Sequence, residues 1–307
     1  MRKVIGIGET VLDIIFRNGQ PTAAVPGGSV FNAVVSLARA GIHALFIGET
    51  GDDRVGSLTR QFMADNGIPT DYMDLVPDSK SPISLAFLNE KNEAQYSFYH
   101  DRPVLRPDVD MPAVTAEDIV LVGSYYALNP LTRDKVVELL ERARRAGAIV
   151  YYDPNFRASH KDEAIKLGPT IIENLEYADI VRGAVDDFRY MYGIDDAEKI
   201  YRGKIKFYCP NFLLTAGAEG VKLRTARLQQ DFEVPHMTTV STIGAGDNFN
   251  AGVLFGLVKH RVRLQDLDDL DPDTWTDIVA MGMRFAANVC GSVDNYISRA
   301  FAAEITR

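Results

Sequence analysis

The feature that most constrains this chain is a rhythm. Short apolar runs rich in β-branched residues alternate with longer segments whose apolar positions recur at helical spacing. Residues 4–8, 44–47, 119–122, 149–152, 180–181 and 212–215 are apolar throughout rather than alternating, the pattern of strands covered on both faces. Between them, residues 30–40, 57–66, 133–146 and 164–174 read as helices, most ending near a glycine or asparagine able to take the left-handed turn. Strand, helix, strand in this order predicts an α/β fold, a doubly wound and mostly parallel sheet flanked by helices.

Two stretches break the rhythm. Residues 13–25 alternate around an Asn18-Gly19 hairpin signal, and a second hairpin pattern begins at Ile83 and turns at residues 89–92. Ser84, Ala86 and Leu88, then Tyr96 and Phe98, fit strands wetted on one face. We read residues 13–25 and 83–102 as segments of a small β lid over a cleft, with a surface hairpin of no function as the competing reading. No proline-rich or polar linker divides the chain. The expectation is one α/β domain over residues 1–307, with the lid inside it.

Composition removes several classes of function. Of the 307 residues 46% are hydrophobic and 24% charged, the balance of a globular protein whose core buries roughly three quarters of its unfolded surface. Lysine and arginine number 33 against 42 acidic residues, a formal charge of −9, and the basic residues are scattered. No nucleic-acid partner is expected. Cys209 and Cys290 stand far apart without a CxxC pair, which indicates neither a disulfide framework nor a thiolate metal site. The apolar start is interrupted by Glu9 and Asp13, and no run approaches the length of a membrane span. A cytoplasmic protein with no membrane partner is the expectation.

The chemistry is concentrated in Ser241-Thr242-Ile243-Gly244-Ala245-Gly246-Asp247, which follows a β-like run ending at Val240 and precedes Phe249, Val253 and Leu257 at helical spacing. Gly244, Ala245 and Gly246 leave successive backbone N–H groups open at a helix N-terminus, where free donors and the helix dipole favour an anion such as phosphate. Asp247 in the first turn can simply cap those donors. Beside an anion hole, however, a carboxylate repels phosphate unless it has a task, and the task that fits is accepting a proton from an attacking hydroxyl. A second glycine pair, Gly27-Gly28, precedes a helix carrying Asn32, and Asp13 follows the first strand. Both polar side chains are short enough to bind sugar hydroxyls bidentately, with N-terminal capping or a buried structural amide as the competing reading of Asn32.

Other motifs fail. Gly203-Lys204 lacks the rest of a Walker loop, and Gly6-Ile7-Gly8 starts a dinucleotide fingerprint that Val11 ends. No HExxH or GxSxG occurs, and the acidic run at residues 266–273 lacks the central glycine of a calcium loop and reads as a solvated connection.

With these residues in view, the sequence resembles the ribokinase-type (PfkB) carbohydrate kinases, fructokinase-like members in particular, over nearly its whole length. Gly27-Gly28-Ser29-Val30-Phe31-Asn32-Ala33, Ala40-Gly41, Gly48 and Gly51-Asp52-Asp53-Arg54-Val55-Gly56 resemble the family's amino-terminal signature. Thr242-Ile243-Gly244-Ala245-Gly246-Asp247 with Phe249 and Gly252 resembles its carboxyl-terminal one. The resemblance implies a ribokinase-like fold and ATP-dependent phosphorylation of a primary hydroxyl on a small sugar or sugar acid, a fructose-like sugar leading. It implies Asp247 as general base, Gly244, Ala245 and Gly246 as the anion hole, and Asp13, Gly27, Gly28 and Asn32 at the sugar. Thr215, Gly217 and Gly220 fall in its nucleotide strand and loop, Asn288 near adenine, and Asn155 and Arg157 in a DxNxR stretch near the phosphates; a surface ion pair is the plainer reading of Arg157. ATP and Mg²⁺ are the implied cofactors.

Three features depart from the family pattern. Ser241 stands where many members carry an aspartate associated with a monovalent cation, so K⁺ activation is an open expectation. Asp187 replaces a longer acid expected to organise water around magnesium, and Ala184 an asparagine. His100 and Arg102 lie where fructokinase-like members place an arginine toward the sugar. Kinases of 2-keto-3-deoxygluconate or nucleosides, and a sugar- or nucleotide-binding regulator without catalysis, are the alternatives, and a homodimer through the lid is a possible assembly.

Overall fold

The structure is a computed structural model and describes residues 2–89, 94–99, 109–235 and 237–306. Its frame is a nine-stranded sheet. In chain order the strands are β1 (Lys3–Ile7), β4 (His43–Gly51), β5 (Met73–Val76), β8 (Ile119–Gly123), β9 (Ile149–Asp153), β10 (Ile180–Ala184), β11 (Asn211–Thr215), β12 (Val221–Arg224) and β13 (Gln229–Phe232). Their spatial order is β13-β12-β11-β10-β9-β8-β1-β4-β5, parallel except for β12 and β13. The sequence reversal beside β1 puts a cleft at the carboxyl ends of the strands, where ligands bind in open α/β sheets.

The apolar runs are continuous because each strand feeds two cores. Val4, Leu121, Tyr151 and Leu213 pack beneath α1 (Ser29–Arg39), α2 (Arg54–Asp65), α7 (Ala245–Lys259) and α8 (Pro272–Cys290), with Phe31, Phe255, Trp275 and Phe285 filling that layer. Ile5, Val120, Val150 and Phe212 face the opposite way, against α3 (Arg133–Ala146), α4 (Ala164–Tyr177), α5 (Val185–Tyr192) and α6 (Ala197–Ile200). Neighbouring residues of one strand thus enter different cores, the period of two that strand geometry imposes. A short α9 (Arg299–Ile305) closes the chain against Phe285 through Phe301.

The remaining strands, β2 (Val11–Arg17), β3 (Gln20–Gly27), β6 (Ile83–Leu88) and β7 (Ala94–Tyr99), form a separate four-stranded sheet in the order β3-β2-β6-β7. The Asn18-Gly19 signal is realised: both residues have positive φ, 52° and 73°, so the turn matches strand twist. In this sheet Asp13 pairs with Val25 on one side and Ser84 on the other. Phe16 and Phe87 stack at 4.8 Å, and Phe87, Phe98 and Tyr99 are exposed.

Two expectations are corrected. Among the described residues the run ending at Val240 forms no strand; residues 237–239 are exposed, and the Val240 N–H makes a single backbone bond, to the Cys290 carbonyl at 2.8 Å, so β propensity alone does not make a ladder there. Residues 266–273 are more than a loop: a 3₁₀ turn ends at Asp269, and Asp271 caps α8 by accepting from the Thr274 N–H at 2.9 Å. Among the described residues no helix is long and apolar enough to cross a membrane.

Candidate active site

Gly244 fixes the start of α7. It sits at φ 72°, and a Cβ there would lie 3.0 Å from the Asn295 carbonyl oxygen. Only glycine meets both demands without strain. The first turn that follows carries Asp247, buried at 8% exposure, as the third helical residue. Its two oxygens each accept one hydrogen bond at 2.8 Å, from the Ser29 hydroxyl and from the Asn32 side-chain amide. Both donors lie in the first turn of α1, so the two glycine motifs, over two hundred residues apart in sequence, converge on one carboxylate. Burial raises the Asp247 pKa above its usual value, against the opposing influence of Asn32, Arg157 and Ser29.

The glycine pair before α1 is a requirement of space. A Cβ on Gly27 would lie 2.3 Å from an Asp13 carboxylate oxygen, and one on Gly28, at φ 129°, 2.2 Å from the Glu9 carbonyl. Asp13, on β2, is itself buried; it accepts from the Ser84 hydroxyl and, at 2.8 Å, from the Asn295 side chain. Burial pushes its pKa up to about 6, and Asp247 adds to the shift. The side-chain carbonyl oxygens of Asn32 and Asn295 are buried and accept no hydrogen bond from the described residues. Orphaned buried acceptors are costly unless a ligand supplies donors.

Two acids complete this side. Glu9 accepts from the Ser124 hydroxyl at 2.8 and 2.9 Å, and burial raises its pKa, as does, less strongly, the charge of Asp247. Glu49 accepts from the Tyr126 phenol at 2.6 Å and is pushed up to about 7, chiefly by burial and then by Glu9. Neither was expected from the sequence beyond Glu9 as a break in an apolar run. Asn295 was missed too.

At the other side of α7 the strands β9, β10 and β11 deliver Asp153, Arg182 and Thr215. Arg182, buried, donates to Asp153 at 3.1 Å and to the Thr215 hydroxyl at 2.6 Å. Asp153 also accepts from Asn250 of α7 and from the Asn155 N–H, and Asn250 accepts from the Tyr151 phenol. Asn155 has φ 41°, and Arg157 is exposed but close enough to bias the ionisation of Glu9, Asp187 and Asp247. Asp187 is buried and accepts from the Ala184 N–H at 2.7 Å; burial and Asp153 push it up to about 7. Gly217 and Gly220 both have positive φ, and the Ala216 N–H donates to the Gly220 carbonyl, shaping the loop after β11. Asn288 accepts from the Ser298 N–H at 2.8 Å, so its oxygen is already committed. Ser241 is buried and accepts from the Ile243 N–H. His100 and Arg102 lie outside the described residues, and among the described residues no cluster of three metal-ligating side chains occurs.

A doubly wound sheet, an open helix N-terminus and a buried carboxylate in its first turn define an enzyme of the ribokinase-like α/β fold. Residues 1–298 match the pfkB family of carbohydrate kinases, and the chain belongs to that family as an ATP-dependent carbohydrate kinase. It is 29% identical over 276 residues to a fructokinase of Klebsiella pneumoniae, covering 88% of this chain and 89% of that one. An aminoimidazole riboside kinase of Salmonella typhimurium is 27% identical over 261 residues, with coverages of 84% and 82%. The fold superposes on that of a Vibrio cholerae fructokinase determined with fructose, ADP and a calcium ion, with a TM-score of 0.84 at 22% identity over 100% of this chain and 99% of that one.

Proposed function

We propose that the enzyme transfers the γ-phosphoryl group of ATP to a primary hydroxyl of a fructose-like sugar, with Asp247 as general base. One observation carries the reading: Asp247 is buried at the N-terminus of α7 within 2.8 Å of Ser29 and Asn32, beside two amide oxygens that lack donors. A polyol supplies those donors. Asp13, Asn32 and Asn295 orient it, and Asp247 takes the proton as the hydroxyl attacks. The Gly244 and Gly246 N–H groups offset charge on the migrating group; the Ala245 N–H, expected from the sequence to join them, instead closes a turn by donating to the Thr242 carbonyl at 3.2 Å. A neutral sugar suits this site better than a sugar acid, since Asp13, Glu9 and Asp247 repel a further carboxylate.

For Mg²⁺ the fit rests on Asp187, a carboxylate whose ionisation Asp153 and burial oppose and which a cation favours. Asp187 would hold it largely through water, and a bound Mg²⁺ would neutralise phosphate charge. The four-stranded sheet serves as a lid. Its Tyr96, 39% exposed over the residue as a whole, holds a phenol whose ionisation burial and the charges of Asp13 and Asp247 disfavour, which puts the hydroxyl end toward the site that the lid would cover. The exposed Phe87 and Tyr99, on the face of that sheet opposite Asp13 and Tyr96, support pairing of two copies through it. Sedimentation velocity tests this: a wild-type dimer that Phe87→Lys dissociates is expected, and a wild-type monomer removes the assembly.

A riboside is the second reading, supported by the Salmonella relative and by the stacked Tyr96–Phe98 pair, 5.6 Å between centroids. An ADP-release assay over fructose, ribose, 2-keto-3-deoxygluconate, inositols and nucleosides decides between them. Fructose is expected to give the highest kcat/KM. Asp247→Asn is expected to fold and bind sugar with kcat lowered about 10²- to 10⁴-fold. Wild-type turnover in that variant would refute the base, and ligand-raised melting temperatures without ADP release in the wild type would favour a binding-only protein.

A further inference from the structure

Arg182 is placed where helix electrostatics disfavour it. Cations stabilise helix C-termini, and the N-terminus carries roughly half a positive charge of its own. Yet the Arg182 guanidinium lies against the second residue of α7: a Cβ on Gly246 would meet both of its terminal nitrogens at 3.0 Å. The side chain is 6% exposed, its Nε is buried without a hydrogen-bond partner, and its charged plane stands 5.7 Å from the Phe249 ring centroid. It stays charged because Asp153, then Asp187, outweigh the cost of burial.

A strand tie is the simpler account, since Arg182 joins β9 through Asp153 and β11 through Thr215. That account leaves two features unexplained. Buried ion pairs are commonly no more stabilising than apolar residues of the same volume, and the pair is turned so that the guanidinium, not only the carboxylate, meets the helix N-terminus. Gly246 removes the one side-chain atom that would hold it away. A fixed positive charge behind an anion hole is what a site receiving a highly charged phosphoryl group requires.

We propose that Arg182 is a positioning residue for phosphoryl transfer, a buried cation packed beneath Gly246 that strengthens the anion hole at the start of α7 without touching the nucleotide. The inference rests on the reading above that the γ-phosphate lies at this helix N-terminus. It adds a residue from the middle of the sheet to a site otherwise built from loops and helix ends.

The test compares affinities for ATP and ADP by calorimetry, because only ATP carries the γ-phosphate, and it needs no turnover. In the wild type ATP is expected to bind more tightly than ADP. Arg182→Met combined with Asp153→Asn removes the pair without leaving either charge buried alone, and is expected to lower the ADP-to-ATP ratio of Kd values about tenfold and kcat about 10²-fold. Arg182→Lys keeps the charge but loses the planar two-anchor geometry; it is expected to hold the ratio within about threefold of wild type. An unchanged ratio in the folded double variant overturns the proposal. So does a Lys variant that loses the preference for ATP, a reading that stands even if the double variant does not fold. A wild type that phosphorylates no sugar while the double variant loses its ATP preference rejects the kinase reading and leaves the role of Arg182 intact.

Discussion

At the scale of single residues, the site works through carboxylates kept away from water. Asp247 ionises above its usual pKa because it is buried, and the hydrogen bonds from Asn32 and Ser29 favour its charged form. The base must be ionised to act, so kcat/KM is expected to rise with pH through a limb lying above the usual aspartate range. Removing a donor weakens the charged form, so Asn32→Ala is expected to move that limb to higher pH; a pH–rate profile with the limb unmoved or shifted downward would contradict the assignment. The sequence announced Asp247 and Asn32 because each lies in or beside a glycine motif whose spacing has a physical purpose, and Asp13 because it is a short acid just after the first strand. It hid Asn295, whose partner Asp13 is 282 positions away, in a polar stretch without periodicity. Arg182 was hidden differently, as a polar residue that merely seemed to end the apolar run of β10.

Among elements, the parallel strands were legible because burial on both faces writes itself as uninterrupted apolar sequence. The edges were not. β12 and β13 lie on the sheet's margin, where Lys222, Arg224, Gln229 and Asp231 are strand residues, and β5 contributes only Met73–Val76. The small sheet was legible in its hairpin signals: Asn18-Gly19 gives the first hairpin, and the second pairs Ile83 with Tyr99, while residues 90–92 of the turn read at 89–92 lie outside the described residues. If this sheet excludes water, Tyr96→Ala is expected to raise the sugar KM several-fold and to increase ATP hydrolysis in the absence of sugar, measured as phosphate release. Equal hydrolysis by the two proteins would leave the sheet without a gating role.

For the whole molecule, buried acids set how stability follows pH: Asp13, Glu49 and Asp187 at the cleft, and Asp179 at the opposite, amino-terminal end of β10. The folded state pushes Asp13 and Asp179 up to about 6, and Glu49 and Asp187 up to about 7. Each is protonated more readily folded than unfolded, so its contribution is fully present below the unfolded pKa and is lost as pH rises through the folded one. Asp53, Asp118 and Asp231 are shifted down and act in the opposite sense, only in stronger acid. The melting temperature of the unliganded protein is therefore expected to fall by on the order of 5 °C between about pH 5 and pH 8, and Glu49→Gln is expected to flatten the decline. A melting temperature that climbs over this interval would show that the buried acids are ionised at no cost.

The bonds that link Asn295 to Asp13, the Tyr296 phenol to the Pro26 carbonyl and the Ile297 N–H to Ser36 join the beginning of the polypeptide to its end. During synthesis on the ribosome the sheet has every strand it needs long before these last residues emerge. Until Asn295 emerges, Asp13 lacks the amide from which it accepts a hydrogen bond. A chain stopped after Cys290 is expected to lose sugar binding with Asn295 and stability with the buried Tyr296, Ile297 and Ala302, which a melting curve with and without fructose checks.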